Sequence, residues 1–276
     1  MKFQTYRNFS KEVPKFNWLV EDLIPQGGWT LLVGPPGSGK SMMAIQLTDC
    51  VQNGRPFLGQ KVKQGNCLYI QADASSGEWQ EQIKNIAPDG FSWTGYEVPK
   101  GALDMEKEVA IFKRIIWGEQ EGFGGEQFDF VVFDCLRSLT EKDINSTAIM
   151  QVIRKMQEIC TLQTDDLKLE KTFLLIHHPT KTRGVRGTSA GAGYGGLESD
   201  CSSMMTLAGT MLAREKGRVQ KNRHFDLVRL PNGAWSLASE GAPKSNGQVF
   251  NTNLTQNEKE LFEKYPEFNP EYRKRD

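Results

Sequence analysis

The sequence predicts an α/β fold: a mostly parallel central sheet flanked by helices on both faces, followed by a late β-hairpin. Three observations predict it. From about Trp29 to about Leu237, short apolar β-type runs alternate with helical stretches. The first four of these runs each break at once into polar or glycine residues, as strands do when their carboxyl ends face a ligand. The chain has 276 residues, 38% hydrophobic and 25% charged, enough for a sizeable core and not the balance of a disordered chain.

The strands are read at Thr30–Val33, Cys67–Ile70, Phe130–Phe133, Phe173–Ile176 and Ser203–Ala208. The hairpin pairs Asp226–Leu230 with Ala234–Leu237 around Pro231-Asn232-Gly233. These elements define a core over residues 16–238, preceded by an arm over 1–15. Residues 239–253 are rich in Gly, Ser, Asn and Pro and read as a linker. In 254–276, Thr255-Gln256-Asn257-Glu258 matches a capping box ahead of a short charged helix or tail.

Composition excludes several classes. The longest apolar runs, Phe130–Phe133 and Phe173–Ile176, fall far short of the roughly 20 residues that span a bilayer. The first residues lead into charge and lack the apolar segment of a signal peptide. The expectation is a cytoplasmic protein with no membrane partner. Lys and Arg total 34, as do Asp and Glu. Zero net charge argues against nucleic-acid binding through global positive charge, but is compatible with a local basic channel. The five cysteines stand far apart and the three histidines add no zinc-site spacing, so reduced, half-buried thiols are expected.

The strongest motif follows the first strand. Gly34-Pro35-Pro36-Gly37-Ser38-Gly39-Lys40-Ser41 is a complete G-x-x-x-x-G-K-S phosphate-binding loop. Its glycines let backbone N–H groups converge on phosphate oxygens. A helix beginning near Lys40 turns its positive dipole end to the same point. Lys40 supplies a charge to the β- and γ-phosphates, and Ser41 a hydroxyl to Mg2+. The reading is nucleoside triphosphate binding.

The ends of the next strands supply partners. Asp134, after Phe130–Phe133, fits the second metal-holding position. Asp73, after Cys67–Ile70, is placed to orient or deprotonate an attacking water, with Glu78 as a weaker alternative. Phe173–Ile176 runs into His177-His178. Alternation along the strand turns one of the two to the site; His178 is taken as the one that hydrogen-bonds the γ-phosphate and reports its loss. Residues 183–196 then combine glycines with Arg183 and Arg186, a composition suited to phosphate or nucleic-acid backbone contact. In Lys221-Asn222-Arg223, an extended backbone turns both basic side chains the same way. Such a pair can reach a neighbouring subunit's γ-phosphate as an arginine finger does.

Several stretches together resemble a known family. They are Trp18 to Pro25 leading into the phosphate loop, Asn53-Gly54-Arg55-Pro56-Phe57-Leu58-Gly59, and Asp134-Cys135-Leu136-Arg137-Ser138-Leu139 with Asp143 and Asn145. To these add His177-His178 with Lys181, and Arg186-Gly187-Thr188-Ser189-Ala190. From about Phe16 to Leu237 the chain resembles the RecA-like P-loop core of ring-forming replicative DNA helicases, closest to the RepA-type plasmid and phage group, with DnaB and RecA as broader relatives. The resemblance implies an ATP- and Mg2+-dependent motor that moves on single-stranded DNA as a homo-oligomer, usually a hexameric ring, with ATP between subunits. It implies that His178 senses the γ-phosphate and that Lys221 and Arg223 act in trans, with Arg186 as the rival finger. It leaves a recombination or repair ATPase, or a non-helicase switch or loader, as alternatives. One departure stands out: the family usually carries Glu where this chain has Asp73. The shorter side chain sets its carboxylate back by about 1.5 Å.

Overall fold

The computed structural model describes residues 17–87, 92–98, 108–121, 125–140, 149–163, 168–178, 197, 200–217 and 223–238. The arm over 1–15, the glycine-rich segment 183–196 with Arg186, Lys221, and everything from 239 onward lie outside the described residues.

The parallel strands are β3 (Gly28–Val33), β4 (Cys67–Gln71), β5 (Thr94–Glu97), β6 (Phe130–Asp134), β9 (Thr172–His177) and β10 (Ser203–Ala208). Their order across the sheet is β10-β3-β9-β6-β4-β5. Every residue of β4, β6, β9 and β10 is buried, because helices cover both faces and leave no wet side. That is why these strands read as continuous apolar runs rather than as alternation. The sheet thus bears out the mostly parallel α/β class read from the sequence.

Alternation instead sorts the side chains between two apolar layers. Leu174 and Ile176 of β9 join helices α1 (Lys40–Asn53) and α2 (Ser76–Ile86) on one face. Phe173 and Leu175 join α3 (Val109–Ile116) and α4 (Ile149–Ile159) on the other. α2 begins with the capping box Ser75/Glu78, in which each residue satisfies the other's backbone N–H. α4 shows five buried apolar positions, Ile149, Val152, Ile153, Met156 and Ile159, at the i, i+3, i+4 spacing of a helix with one dry stripe.

Beyond β10 the sheet becomes antiparallel. β11 (Met211–Gly217), β12 (Arg223–Arg229) and β13 (Trp235–Leu237) extend it to nine strands. The predicted hairpin is therefore β12–β13, with Leu230 and Ala234 left in the turn. β11, which the sequence reading left unassigned, joins it to the parallel half. Two small two-stranded sheets also escaped the sequence reading: β1 (Trp18–Val20) with β2 (Ile24–Pro25), and β7 (Thr161–Gln163) with β8 (Lys168–Glu170). Strands of two or three residues carry too few positions for a period-2 signal. Among the described residues no helix is long and apolar enough to cross a membrane.

Candidate active site

The site lies where β3, β9, β6 and β4 end. In register, Val33 of β3 pairs with His177 of β9, Phe133 of β6 with Leu175 of β9, and Gln71 of β4 with Asp134 of β6. At or within two residues of these pairs the strands release Gly34, His178, Asp134 and Asp73 along one edge.

The phosphate loop runs from Gly34 into α1, which starts at Lys40 as the sequence predicts. Gly34 must be glycine: a Cβ there would sit 2.4 Å from the Leu207 carbonyl oxygen. Gly39 lies at φ +87°, in the left-handed region, and its missing Cβ would stand 3.0 Å from the Trp235 ring. Trp235 also donates its indole N–H to the Gly39 carbonyl at 3.4 Å. Gln46 of α1 clamps the Trp235 backbone, donating to its carbonyl and accepting from its N–H, both at 2.8 Å. The antiparallel extension therefore braces the loop from behind.

Lys40 is 3% exposed. Its ammonium donates to the carbonyls of Gly34 at 2.8 Å and Pro35 at 2.7 Å. Burial lowers its pKa from 10.5 to about 8, against the opposing pull of Asp134, Cys135 and Asp73. α1 has no side-chain N-cap and no acid in its first turn. Its first N–H groups and a desolvated ammonium thus converge where an anion would satisfy both.

Asp134 is 3% exposed and lies beside Lys40. Tyr69 donates its hydroxyl to Asp134 Oδ2 at 2.7 Å, and Ser41 also hydrogen-bonds this carboxylate. Desolvation raises the Asp134 pKa, with Tyr69, Ser41 and His178 pulling the other way. A buried carboxylate beside a hydroxyl is an oxygen donor set of the kind Mg2+ takes. The residues present fit both a triphosphate and its Mg2+: Lys40 and the loop would hold the one, Ser41 and Asp134 the other.

Asp73 follows β4 by two residues. Its N–H donates to the Gln71 side-chain oxygen at 2.9 Å, and its Oδ1 accepts from Ser138 Oγ at 3.0 Å. His178 Nε2 stands 3.8 Å from Asp73 Oδ2. His178 lies on the same face of the sheet as α1, whereas His177 is buried on the other. Glu78, the alternative acid, spends its carboxylate in the α2 capping box, where Oε2 accepts from the Ser75 N–H at 3.0 Å. Arg223 begins β12 at the end away from the loop and pairs with Asp22 at 2.7 Å.

Three contributors received no individual role from the sequence. Tyr69 was legible only as a strand residue, although a phenol in an otherwise aliphatic buried run needs a polar partner. Ser138 and Cys135 sit in the turn after β6, where no spacing rule singles them out. Sequence spacing showed no zinc-site pattern, yet the fold brings Asp73, Cys135 and His178 together, their ligand atoms all within 4.8 Å of one another.

A family model described as "AAA domain" matches residues 2–184, two-thirds of the chain. No curated protein matches the chain in sequence. The chain belongs to this AAA domain family, a group of P-loop NTPases. It is an ATPase of the P-loop class by family, a class that binds a nucleotide, usually with Mg2+.

Proposed function

From that membership we propose that the chain is an ATP-dependent DNA helicase or translocase of the RepA-like ring-forming type, hydrolysing ATP at subunit interfaces during replication in a bacterial or phage-infected cytoplasm. One observation carries the reading: β9 lies between the phosphate-loop strand β3 and the Asp134 strand β6. His178 thereby stands beside Asp73, five positions before the arginine- and glycine-rich segment opens at Arg183. Loss of the γ-phosphate next to His178 has a short covalent route to a segment suited to gripping a DNA backbone.

The chain's own groups divide the work. The loop N–H groups and Lys40 hold the triphosphate and offset charge that grows on it in the transition state. Mg2+, when bound, would supply positive charge that offsets part of this build-up. Ser41 and Asp134 hold that ion, and Tyr69 fixes which Asp134 oxygen is presented. Asp73 orients water and accepts its proton, held in place by Ser138. Arg223 is tied to Asp22 at the far end of β12, so any service to a phosphate is to a neighbour's. Lys221 and Arg186 are proposed for the same trans role. Single-stranded DNA and further copies of this chain are the proposed partners.

The test pairs turnover with assembly. ATP hydrolysis is measured with and without single-stranded DNA, together with strand unwinding and native mass with ATP and oligonucleotide. The reading expects a ring whose turnover rises with DNA and which separates strands. A ring that hydrolyses ATP but neither responds to DNA nor unwinds it overturns the helicase assignment.

The short, Ser138-bound Asp73 favours a second reading, a slow ATP-dependent switch or loader. Faster turnover in Asp73→Glu supports a motor with a set-back base. ATP binding without turnover, unchanged by that substitution, supports the switch.

A further inference from the structure

Three adjacent parallel strands, β4, β6 and β9, each release one metal-ligating side chain just past their carboxyl ends: Asp73, Cys135 and His178. Among the described residues this is the one group of three or more His, Cys, Asp or Glu close enough to share an ion. We propose that Asp73, Cys135 and His178 bind a thiophilic divalent cation of the Zn2+ type, and that this ion turns nucleotide hydrolysis off. The second half rests on the ATPase reading above; the binding itself does not.

The donor chemistry sets the metal class. One thiol, one imidazole and one carboxylate suit Zn2+, whereas Mg2+ takes hard oxygen donors such as Ser41 and Asp134. Zinc bonds of about 2.0–2.3 Å put tetrahedral ligands roughly 3.3–3.8 Å apart. The His178–Asp73 pair already stands at 3.8 Å, and no pair of the three exceeds 4.8 Å, so small side-chain shifts complete the site.

Access and orientation are both provided. The Asp73 and His178 side chains are 39% and 27% exposed, which gives an ion a way in. Cys135 is buried beneath them. Ser138 holds Asp73 Oδ1, so the other carboxylate oxygen is the one nearest His178. Such a supporting hydrogen bond orients a metal ligand. Binding displaces the thiol proton to solvent. Three protein ligands leave a fourth position for water or a phosphate oxygen. An Asp73 carboxylate spent on the ion no longer accepts a proton from water. The other four cysteines are buried, and none belongs to a comparable cluster among the described residues.

The test uses the full-length reduced chain without nucleotide, titrated with Co2+ alone and then displaced with Zn2+. We expect one Co2+ per chain with a thiolate-to-cobalt charge-transfer band that Zn2+ removes. Cys135→Ser abolishes the band and weakens binding by more than the ~10–100-fold typical of losing a mere supporting partner. Absence of the band in the parent chain, or an unchanged band in Cys135→Ser, overturns the site. Should that variant not fold, His178→Ala is expected to keep the band but bind Co2+ more weakly; unchanged affinity is equally fatal. In the activity arm, stoichiometric Zn2+ at constant Mg2+ lowers turnover of the parent by about 10²-fold, the scale of a lost general base. Relative to its own metal-free turnover, Cys135→Ser resists Zn2+; equal fractional inhibition of both proteins overturns the switch. If the metal-free parent does not hydrolyse ATP at all, the ATPase reading fails while the cobalt band still decides the site.

Discussion

The parallel and antiparallel halves of the sheet serve the nucleotide site in different ways. β4, β6 and β9 are buried on both faces, and what they contribute is what leaves their carboxyl ends: Asp73, Asp134 and His178. β12 instead alternates between exposed and buried positions, as an antiparallel strand with one wet face does. Its hairpin partner β13 contributes Trp235, which touches the loop at Gly39 and is held by Gln46 of α1. The difference separates chemistry from bracing. One half positions the groups proposed to act on phosphate, metal and water; the other holds the loop that carries two of them.

Substitutions sharpen or break that division. The largest effect is expected from Lys40→Ala, which removes the buried ammonium of the loop. Turnover should fall by roughly 10²–10³-fold or more with the fold intact, as read by phosphate release and circular dichroism. Near-normal turnover would show that the loop is not the site. Trp235→Ala strikes the brace instead. It should cost about 3–5 kcal/mol of stability in denaturant unfolding, while the protein that remains folded still hydrolyses ATP. A turnover loss as deep as that of Lys40→Ala, without loss of stability, would erase the distinction between the halves.

Tyr69→Phe tests support inside the parallel half. It removes the hydroxyl on Asp134 Oδ2 and leaves the ring packed against Trp93 at 5.7 Å and Trp79 at 6.0 Å. The Mg2+ concentration needed for half-maximal turnover should rise about tenfold, with turnover at saturating Mg2+ much less affected. An unchanged Mg2+ requirement means that Tyr69 serves packing alone. The smallest effect is a pH dependence. The unfolded chain holds more protons than the nucleotide-free fold between Lys40's pKa of about 8 and its ordinary 10.5. Stability therefore rises with pH across that window, and the cost of burying the charge is fully present below it. Lys40→Met should lack this rise when unfolding curves of the two proteins are compared.

The readable parts were those where one local rule governs a whole segment. β3, the loop and α1 follow from apolar run, glycine spacing and helix start, and Lys40 opens the helix as read. Asp73, Asp134 and His178 were legible because a buried strand that breaks into a polar residue advertises its carboxyl end. What stayed hidden depends on neighbours far apart in the chain. The order of β9 between β3 and β6 is a property of crossovers, not of any one strand. The Tyr69–Asp134 bond spans 65 positions and the Gln46–Trp235 clamp spans 189. Cys135 read as one of five reduced, half-buried thiols, whereas the structure buries all five and its neighbours Asp73 and His178 come from two other strands. β11, with Arg214 and Lys216 inside it, lacks the unbroken apolar run that marked the parallel strands.

The most direct test of the account is a structure of the chain with Mg2+ and a non-hydrolysable ATP analogue. It should show the triphosphate within Gly34–Ser41, with the Lys40 ammonium moved from the Gly34 and Pro35 carbonyls onto the β- and γ-phosphates. Mg2+ should lie between Ser41 and the Asp134 side, and the γ-phosphate should face Asp73 and His178. A triphosphate bound elsewhere, or a γ-phosphate turned away from the ends of β4, β6 and β9, would contradict it.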